Sequence, residues 1–156
     1  MLKIQKGTKN DLPCILELIK ELADYENSLN EVEITLKELE NDGFGTHPYY
    51  SFLIAKENDE VVGMAFYFIR YSTWKGKILF LEDFIVKEKY RRKGVGAKLF
   101  ESTIKIGKDL KVNGMHWQIL DWNEPAILFY KKYNATISNE WLNGKLTKKQ
   151  ILDYSC

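Results

Sequence analysis

Cysteine and histidine are scarce in this sequence, with two residues of each among 156. Cys14 falls inside an apolar helical pattern, where we expect it to be buried, and Cys156 is the last residue, so no disulfide framework is indicated. Neither the cysteines nor His47 and His116 have the spacing of a metal site, so we expect no metal. This cysteine usage is typical of a protein of the reducing cytoplasm.

The sequence also lacks an excess of charge and a long apolar run. Its 23 basic and 22 acidic side chains nearly cancel, which argues against a nucleic-acid or membrane-surface protein. No segment approaches the roughly 18 consecutive apolar residues of a membrane span, and residues 1–6 contain no apolar signal segment. We therefore expect a soluble, unprocessed single domain over residues 1–156 that binds a small molecule.

The chain opens with one strand pattern and two helix patterns. Leu2 and Ile4 indicate a short strand, after which apolar residues at helical spacing predict a helix that ends near Tyr25. A second helix is predicted over residues 35–40, and the segment Asp42-Gly43-Phe44-Gly45 is expected to stop it.

The middle of the chain is dominated by strand patterns. Residues 51–56 and 61–71 are separated by the turn pair Asn58-Asp59, which predicts an antiparallel hairpin. Residues 78–86 are almost continuously apolar, as in a central strand covered on both faces, except for Glu82 and Asp83. Two carboxylates in such a strand require a reason.

The second half alternates between helix and strand. A helix ending at Asn113-Gly114, a strand over residues 115–122 and a helix over residues 126–133 with Asn123 as its cap are predicted. Residues from 135 to 141 and from 145 onward predict a last hairpin and a C-terminal helix. This order indicates a mixed α/β fold with a strand-helix-strand unit that favours a right-handed parallel crossover.

Two glycines, Gly94 and Gly96, stand between the strongest strand and the longest late helix, directly after Arg91, Arg92 and Lys93. The N–H groups and dipole of a helix start make an anion site, and glycine lets a diphosphate approach without a Cβ in the way. Read alone, the pair is equally compatible with a turn in a solvated basic stretch. Its form, RxxGxG, differs from the P-loop and from the GxGxxG fingerprint.

That loop, following the strand Leu81-Glu82-Asp83-Phe84-Ile85-Val86, resembles the acetyl-CoA-binding motif of the GCN5-related N-acetyltransferase (GNAT) superfamily. Residues 19–23, 42–45, 122–125 and 129–131 extend the similarity to the diamine (spermidine/spermine) and thialysine acetyltransferase branch. The similarity covers nearly the whole chain and weakens after residue 135. It implies a mostly antiparallel twisted sheet of about 6–7 strands flanked by helices, with a splayed parallel strand pair at the acetyl-CoA site.

Acetyl transfer to an amine requires a proton acceptor and a proton donor, because a protonated amine cannot attack a thioester. Glu82 and Asp83 are adjacent on a strand, so we expect their side chains on opposite faces, and burying two acids without a function is costly. The resemblance implies that Glu82 accepts the proton, often through water, that Asp83 contacts the amine, and that Tyr130 protonates the departing thiolate. From periodicity alone, Tyr130 is a core aromatic with its hydroxyl at the rim.

The resemblance also implies two sets of binding residues. The cofactor set is Phe84, Ile85, Val86, Arg91, Arg92, Lys93, Gly94, Val95, Gly96, Ala97, Lys98, Asn123, Tyr130 and Lys132. Within it, residues 85–86 would bind the pantetheine amides as an added strand would, and residues 95–98 would offer N–H groups to the pyrophosphate. The acceptor set is Tyr25, Glu26, Trp74, Glu82, Asp83 and Trp141, because acids and aromatic faces suit a polycation.

The leading hypothesis is an N-acetyltransferase that moves acetyl from acetyl-CoA to a primary amine of a small cationic acceptor, by direct attack in a ternary complex. The resemblance further implies a homodimer. An acetyltransferase of proteins or peptides is the alternative within the same class, and Glu26 and Asp83 favour the compact cation over it. A non-catalytic coenzyme A sensor is the alternative outside the class, and the joint presence of Glu82, Asp83 and Tyr130 argues against it.

Overall fold

A computed structural model describes residues 1–155, so Cys156, for which no disulfide was expected, lies outside the described residues. The strands are β1 (Lys3–Lys6), β2 (Ser51–Glu57), β3 (Glu60–Ser72), β4 (Gly76–Val86) and β5 (Met115–Trp117). The α-helices are α1 (Leu12–Tyr25), α2 (Leu36–Phe44), α3 (Val95–Asp109), α4 (Glu124–Lys131) and α5 (Lys148–Leu152).

The strands form one mixed sheet in the order β1-β2-β3-β4-β5. The first four strands pair antiparallel with their neighbours, and β5 pairs with β4 in parallel, so the predicted parallel unit is β4-α3-β5. The β2–β3 hairpin is confirmed. Its turn residues Asn58 and Asp59 have φ of 49° and 68°, as a tight two-residue turn requires for its twist to match that of the strands.

Helices cover both faces of the sheet. On one face, α1 buries Ile15 and Leu18 in a cluster with Ile54 of β2. The next residue of β2, Ala55, belongs to a second cluster that contains Val95 at the start of α3. Because successive strand residues point to opposite faces, these clusters are the two sides of the sheet. The mixed α/β class predicted from the sequence is therefore confirmed.

Helix α1 corrects the expectation that Cys14 is buried, because this cysteine is exposed. The buried residues of the helix are Leu12, Ile15 and Leu18, which repeat every three residues and form one stripe. At about 100° of rotation per residue, position 14 lies outside a stripe with that spacing. The apolar pattern correctly predicted the helix, but Cys14 lies outside the buried face of that helix.

Helix α2 ends at Phe44, within the segment Asp42-Gly43-Phe44-Gly45 that was expected to stop it. The Gly45 N–H donates to the Asn41 carbonyl at 3.1 Å and so caps the helix. Gly43 packs against the ring of Tyr50, where an added Cβ would lie 2.3 Å from the Tyr50 Cζ atom. Within this segment, Gly43 therefore serves close packing and Gly45 serves helix termination.

The sheet of the described residues has five strands, where about 6–7 were expected, and the hairpin predicted after residue 135 is wrong. Trp141 and Leu142 are 79% and 97% exposed, so this segment buries no apolar face that would support strands. The strand predicted over residues 115–122 also ends early, at Trp117, since residues 121–122 form the turn that leads into α4.

The chain divides into two compact units, which are described separately. The first, Met1–Gln118, contains the sheet and helices α1 to α3, and the second, from Ile119 onward, contains α4 and α5. In the second unit Asn123 caps α4 as predicted, its Oδ1 accepting from the Ala126 N–H at 3.3 Å. Among residues 1–155, no helix is both long and apolar enough to cross a membrane.

Candidate active site

Strand β4 contains an irregularity at the predicted carboxylate pair. Asp83 pairs with Phe66 of β3, but the next residue along β3, Tyr67, pairs with Leu81, so Glu82 is an extra residue without a register partner on β3. Such a bulge bends a strand and redirects its side chains. The expectation that Glu82 and Asp83 point to opposite faces assumed a regular strand, and the bulge interrupts that regularity at these two residues.

Two residues of the predicted acceptor set, Glu82 and Glu26, lie within electrostatic range of a third, Asp83. Asp83 is partly buried, and this burial, followed by the charges of Glu82 and then Glu26, raises its pKa from 3.8 to about 6. Glu26 follows the last residue of α1, and burial raises its pKa as well. Mutual repulsion among carboxylates is relieved by a bound cation. This acidic cluster is therefore suited chemically to a protonated amine.

Tyr25 and Arg91 connect the acidic cluster to the basic segment. The Arg91 guanidinium carbon lies 5.5 Å from the centre of the Tyr25 ring, a cation–π distance. Tyr25 is the last residue of α1, directly before Glu26. The predicted acceptor residues at the end of this helix therefore adjoin the predicted phosphate loop.

The glycine loop has the geometry of an anion site. Gly94 has φ 79° and ψ −1°, the left-handed conformation that favours glycine, and α3 begins at the next residue. The first N–H groups of an α-helix, here those of residues 94–97, have no intrahelical acceptor and favour an anion. Lys98 does not belong to this donor set, because its N–H donates to the Gly94 carbonyl at 3.1 Å. The donors present fit a diphosphate.

The end of β4 supplies a second feature of the predicted cofactor site. The parallel pairing with β5 ends at Leu81 and Trp117, whereas β4 continues to Val86. Beyond Leu81, β3 is the one described strand that the register pairs with β4, at residues 83–86, and β5 no longer pairs along the other edge. An extended chain with amide groups can add to such an edge. Phe84 packs beside this edge, with its ring centre 5.8 Å from that of Phe100 in α3.

Trp74 is not brought to the acidic cluster. It lies in the turn between β3 and β4, 82% exposed, with its N–H donating to Ser72 Oγ at 3.2 Å. From Gly76 to Glu82 the strand extends by about 20 Å, at roughly 3.3 Å per residue. Within the first unit, therefore, this tryptophan and the carboxylates occupy different ends of β4.

Four predicted site residues lie in the second unit, namely Asn123, Tyr130, Lys132 and Trp141. Tyr130 is buried, at 6% exposure, and its ring centre is 5.2 Å from that of Phe129. Burial raises the pKa of its hydroxyl above the usual range, so the group is protonated at neutral pH. Lys132 directly follows α4, and Trp141 is exposed.

Sequence reasoning missed Glu60 and Tyr90. Glu60 is the first residue of β3, and one of its carboxylate oxygens accepts a 2.7 Å hydrogen bond from the Tyr90 hydroxyl. An aromatic residue within a basic run was a usable signal for Tyr90, since aromatic rings attract cations. No local pattern indicates that a glutamate at residue 60 meets this run, because the contact depends on the pairing of β3 with β4.

The two histidines of the chain are His47 and His116. Among residues 1–155, no group of three or more His, Cys, Asp or Glu side chains is arranged to hold a metal ion. His116 on β5 has its Nδ1 atom 2.9 Å from Arg70 Nη2, and partial burial followed by the Arg70 charge lowers its pKa. This environment is that of a surface histidine beside a cation.

Comparison with known proteins shows the family of this chain. Residues 15–135 match the acetyltransferase (GNAT) family. The human spermidine/spermine N(1)-acetyltransferase-like protein 1 is 37% identical over 97% of this chain, which spans only 23% of the length of that relative. A thialysine N-epsilon-acetyltransferase of Bos taurus is 36% identical over 85% of this chain and 82% of its own length.

Solved structures share the fold. An integron cassette protein from V. cholerae superimposes with a TM-score of 0.77 at 22% identity, over 97% of this chain and 95% of its own. An aminoglycoside acetyltransferase from an uncultured soil metagenomic sample also superimposes with a TM-score of 0.77, at 19% identity, over 94% and 95% of the two chains. The family match and the curated relatives together establish that this chain is an acetyltransferase belonging to the GNAT family, whose members use acetyl-CoA.

Proposed function

We propose that this chain transfers the acetyl group of acetyl-CoA to a primary amine of a small cationic acceptor, by direct attack within a ternary complex. The observation that carries the proposal is that Glu82 and Glu26 lie within electrostatic range of Asp83 at the bulge of β4, next to the segment that contains Arg91. A cluster of carboxylates beside an anion site accommodates one cationic and one anionic ligand side by side. A long neutral peptide would gain little from such a charge distribution.

The acidic cluster provides both binding and proton transfer. Asp83 and Glu26 hold the acceptor ammonium by charge, and Glu82, which is exposed, accepts its proton directly or through water. The freed nitrogen lone pair then forms the new C–N bond as the C–S bond breaks. Acetyl-CoA, when bound, supplies the acetyl thioester.

Tyr130 is the proposed proton donor to the departing sulfur. Its hydroxyl is protonated at neutral pH and therefore carries a proton to donate, although burial raises its pKa and makes it a weaker acid than an exposed tyrosine. Asn123 and Lys132, on either side of α4, are the proposed contacts of this unit with the cofactor.

The cofactor is proposed to bind along the end of β4 and across the start of α3. Residues 84–86 meet the pantetheine arm beyond the point where the parallel pairing with β5 ends, and the N–H groups of residues 94–97 meet the diphosphate. Arg91, Arg92 and Lys93 add positive charge on the same segment.

The acceptor class follows from the acidic cluster and the names of the relatives. Proteins 36–37% identical to this chain are named for spermidine/spermine and for thialysine, which are all cationic amines. We therefore propose a polyamine, a diamine or a thialysine-like amine as the acceptor. Trp74 and Trp141 remain proposed contacts for the more distant parts of a long acceptor.

We further propose that the protein acts in the cytoplasm as a homodimer of single-domain chains, without a metal, nucleic-acid or membrane partner. The scarcity of cysteine supports the compartment, and the near balance of charge supports a small-molecule partner. Similarity to the diamine acetyltransferase branch supports the dimer. Light scattering that gave the single-chain mass of 18.3 kDa at every concentration would contradict the dimer.

Acetylation of defined amines tests the proposed reaction. The protein is mixed with acetyl-CoA and separately with spermidine, spermine, putrescine, thialysine or lysine, while free thiol and the acetylated product are measured. We expect thiol release with at least one of these amines and a loss on the order of 100-fold in turnover for Glu82→Gln. Glu17→Gln, an exposed acid of α1 outside the cluster, is the control and is expected to keep full turnover.

Two outcomes would overturn the proposed reaction. Coenzyme A binding without thiol release from any amine would indicate the sensor alternative. Acetylation of a peptide N-terminus or peptide lysine, with none of the free amines used, would indicate a protein acetyltransferase.

A further inference from the structure

Glu60 gathers three side chains from the segment that leads into the glycine loop. Lys87 Nζ lies 3.1 Å and Lys89 Nζ 3.2 Å from its carboxylate, and the Tyr90 hydroxyl donates to it at 2.7 Å. The hydrogen bonds from Tyr90, Lys87 and Lys89, in that order of importance, lower the pKa of Glu60 to about 2. Its carboxylate therefore stays ionised throughout the physiological range.

The position of Glu60 is fixed by the sheet. It is the first residue of β3, pairs with Glu57 across the two-residue hairpin turn, and begins a strand that pairs with β4 up to Gly63 and Val86. The strand thereby fixes the location of the carboxylate, whereas residues 87–93 form a connection between a strand and a helix. Contacts to Glu60 therefore hold residues 87–93 in place against the sheet.

The segment held by Glu60 folds back on itself. The Lys87 N–H donates to the Val62 carbonyl at 2.9 Å, and residues Glu88–Tyr90 form a 3₁₀ turn. The Arg91 N–H donates to the Glu88 carbonyl at 3.0 Å. These bonds set the backbone, but they leave the direction of the long basic side chains to other contacts.

The Tyr90 ring provides such a contact for Lys93. The ammonium nitrogens of Lys89 and Lys93 lie 4.9 Å and 5.5 Å from the centre of this ring, both within cation–π range. Lys93 directly precedes Gly94, the left-handed residue at the start of α3. The Tyr90 ring therefore holds a cation next to the helix start that binds the anion.

The contacts distinguish Lys87 and Lys89 from Lys93. Lys87 and Lys89 share the single negative charge of Glu60, which offsets one of their two positive charges, whereas Lys93 rests on the uncharged Tyr90 ring. Without Glu60, the two paired lysines would add repulsion around Tyr90 and Lys93. Glu60 thereby holds Lys87 and Lys89 within the folded segment and leaves Lys93 available to a phosphate.

We propose that Glu60 is a positioning residue for the diphosphate of coenzyme A, acting through Tyr90 to fix Lys93 beside the N-terminus of α3. The inference rests on the proposed cofactor site at residues 94–97 and adds the residue that orders its approach. Glu60 itself touches neither cofactor nor amine in this mechanism. Its removal therefore weakens cofactor binding and leaves the chemical step unchanged.

Calorimetric titration with coenzyme A and hydrogen exchange of the free protein test this positioning role. Glu60→Gln is expected to weaken coenzyme A binding by about 3- to 10-fold. It is also expected to speed exchange in residues 87–93 before any ligand is added. Saturating acetyl-CoA should restore the kcat of the unaltered protein, so that the variant changes KM alone. Glu57→Gln, which alters the register partner of Glu60, is the matched control and should change none of these quantities.

A second variant distinguishes the loss of a positioning contact from a general loss of stability. Tyr90→Phe keeps the ring and loses the hydroxyl that donates to Glu60, so it should weaken binding in the same direction. Relative to the unaltered protein, the double variant should lose less affinity than the sum of the two single effects, because the two residues act in one chain of contacts.

The outcomes also separate this inference from the proposed function. Normal binding by the unaltered protein with equal affinities in Glu60→Gln and Glu57→Gln would overturn the positioning role alone. A parallel fall of kcat, with exchange in residues 87–93 unchanged, would overturn it as well. Absence of coenzyme A binding by the unaltered protein would overturn the proposed cofactor site and this inference together.

Discussion

The Nε–H of Arg91 donates a 2.8 Å hydrogen bond to the carbonyl oxygen of Val86, the last residue of β4. The same guanidinium lies over the ring of Tyr25 at the end of α1. One side chain thus joins the strand end, the basic segment and the helix that carries Glu26. Its charge is held at a fixed place between the proposed cofactor and acceptor sites.

Arg91→Lys tests this arrangement while retaining the positive charge. A lysine has a single terminal ammonium, so it cannot reproduce both the Nε bond to Val86 and the stacking on Tyr25. We expect the KM for acetyl-CoA to rise about 5- to 10-fold. The control is Arg70→Lys, since Arg70 also lies over an aromatic ring, that of Phe80, at 5.1 Å. Equal KM values for the two variants would contradict the role of Arg91.

Asp83→Asn should stabilise the protein above pH 6. Burial and the neighbouring carboxylates raise the pKa of Asp83 from 3.8 to about 6, so the folded protein binds more protons than the unfolded chain between these values. The free energy of unfolding of the unaltered protein therefore falls as pH rises through this window. The variant should be more stable at pH 8 by on the order of 2 kcal/mol and should lose most of that pH dependence.

Urea denaturation from pH 4 to pH 8 measures the effect of Asp83→Asn, with the exposed Asp121→Asn as control. The same variant should use cationic acceptors less efficiently, because it loses the charge that holds the ammonium. A stability curve parallel to that of the unaltered protein across this range would refute the assigned environment of Asp83.

Gly94→Ala should be destabilising through the backbone alone. A Cβ at residue 94 would meet no atom within 4 Å, but φ of 79° is a strained conformation for alanine, at a cost of about 1–2 kcal/mol. Gly144→Ala is the control, because residue 144 also has open space around its Cβ position and no φ in the left-handed range. Gly94→Asn should recover part of the loss, since asparagine tolerates this conformation. Equal unfolding free energies for Gly94→Ala and Gly144→Ala would exclude the strain.

Tyr130→Phe should lower kcat on the order of 100-fold with little change in the KM for acetyl-CoA, because it removes a proton donor and keeps the ring. Tyr133→Phe is the matched control, as both tyrosines pack against Phe129, with ring centres 5.2 Å and 5.5 Å from it. The comparison is made by steady-state kinetics over a range of pH. An unchanged kcat in Tyr130→Phe would return Tyr130 to a packing role.

Much of the fold could be predicted because its signals are local. The hairpin turn Asn58-Asp59 and the cap Asn123 depend on residues within a few positions, and both occur where the sequence indicated. Other expectations depended on which residues pack against each other in the tertiary structure. Cys14 is exposed, and residues after 135 form no strand among those described, because burial is decided by partners that a local apolar pattern does not specify.

The features of the candidate site also divide into those that the sequence predicted and those that only the structure located. The sequence by itself determined the residue types, the order of the elements and the glycine pair at the start of α3, since torsional preferences and periodicity act over a few residues. Only the tertiary structure decided that the extra residue of β4 is Glu82 and that Glu26 lies within electrostatic range of Asp83. It alone also brought Glu60 to Tyr90. Strand register and contacts across 30 to 57 positions of chain arise from packing of the whole sheet, and no local preference encodes them.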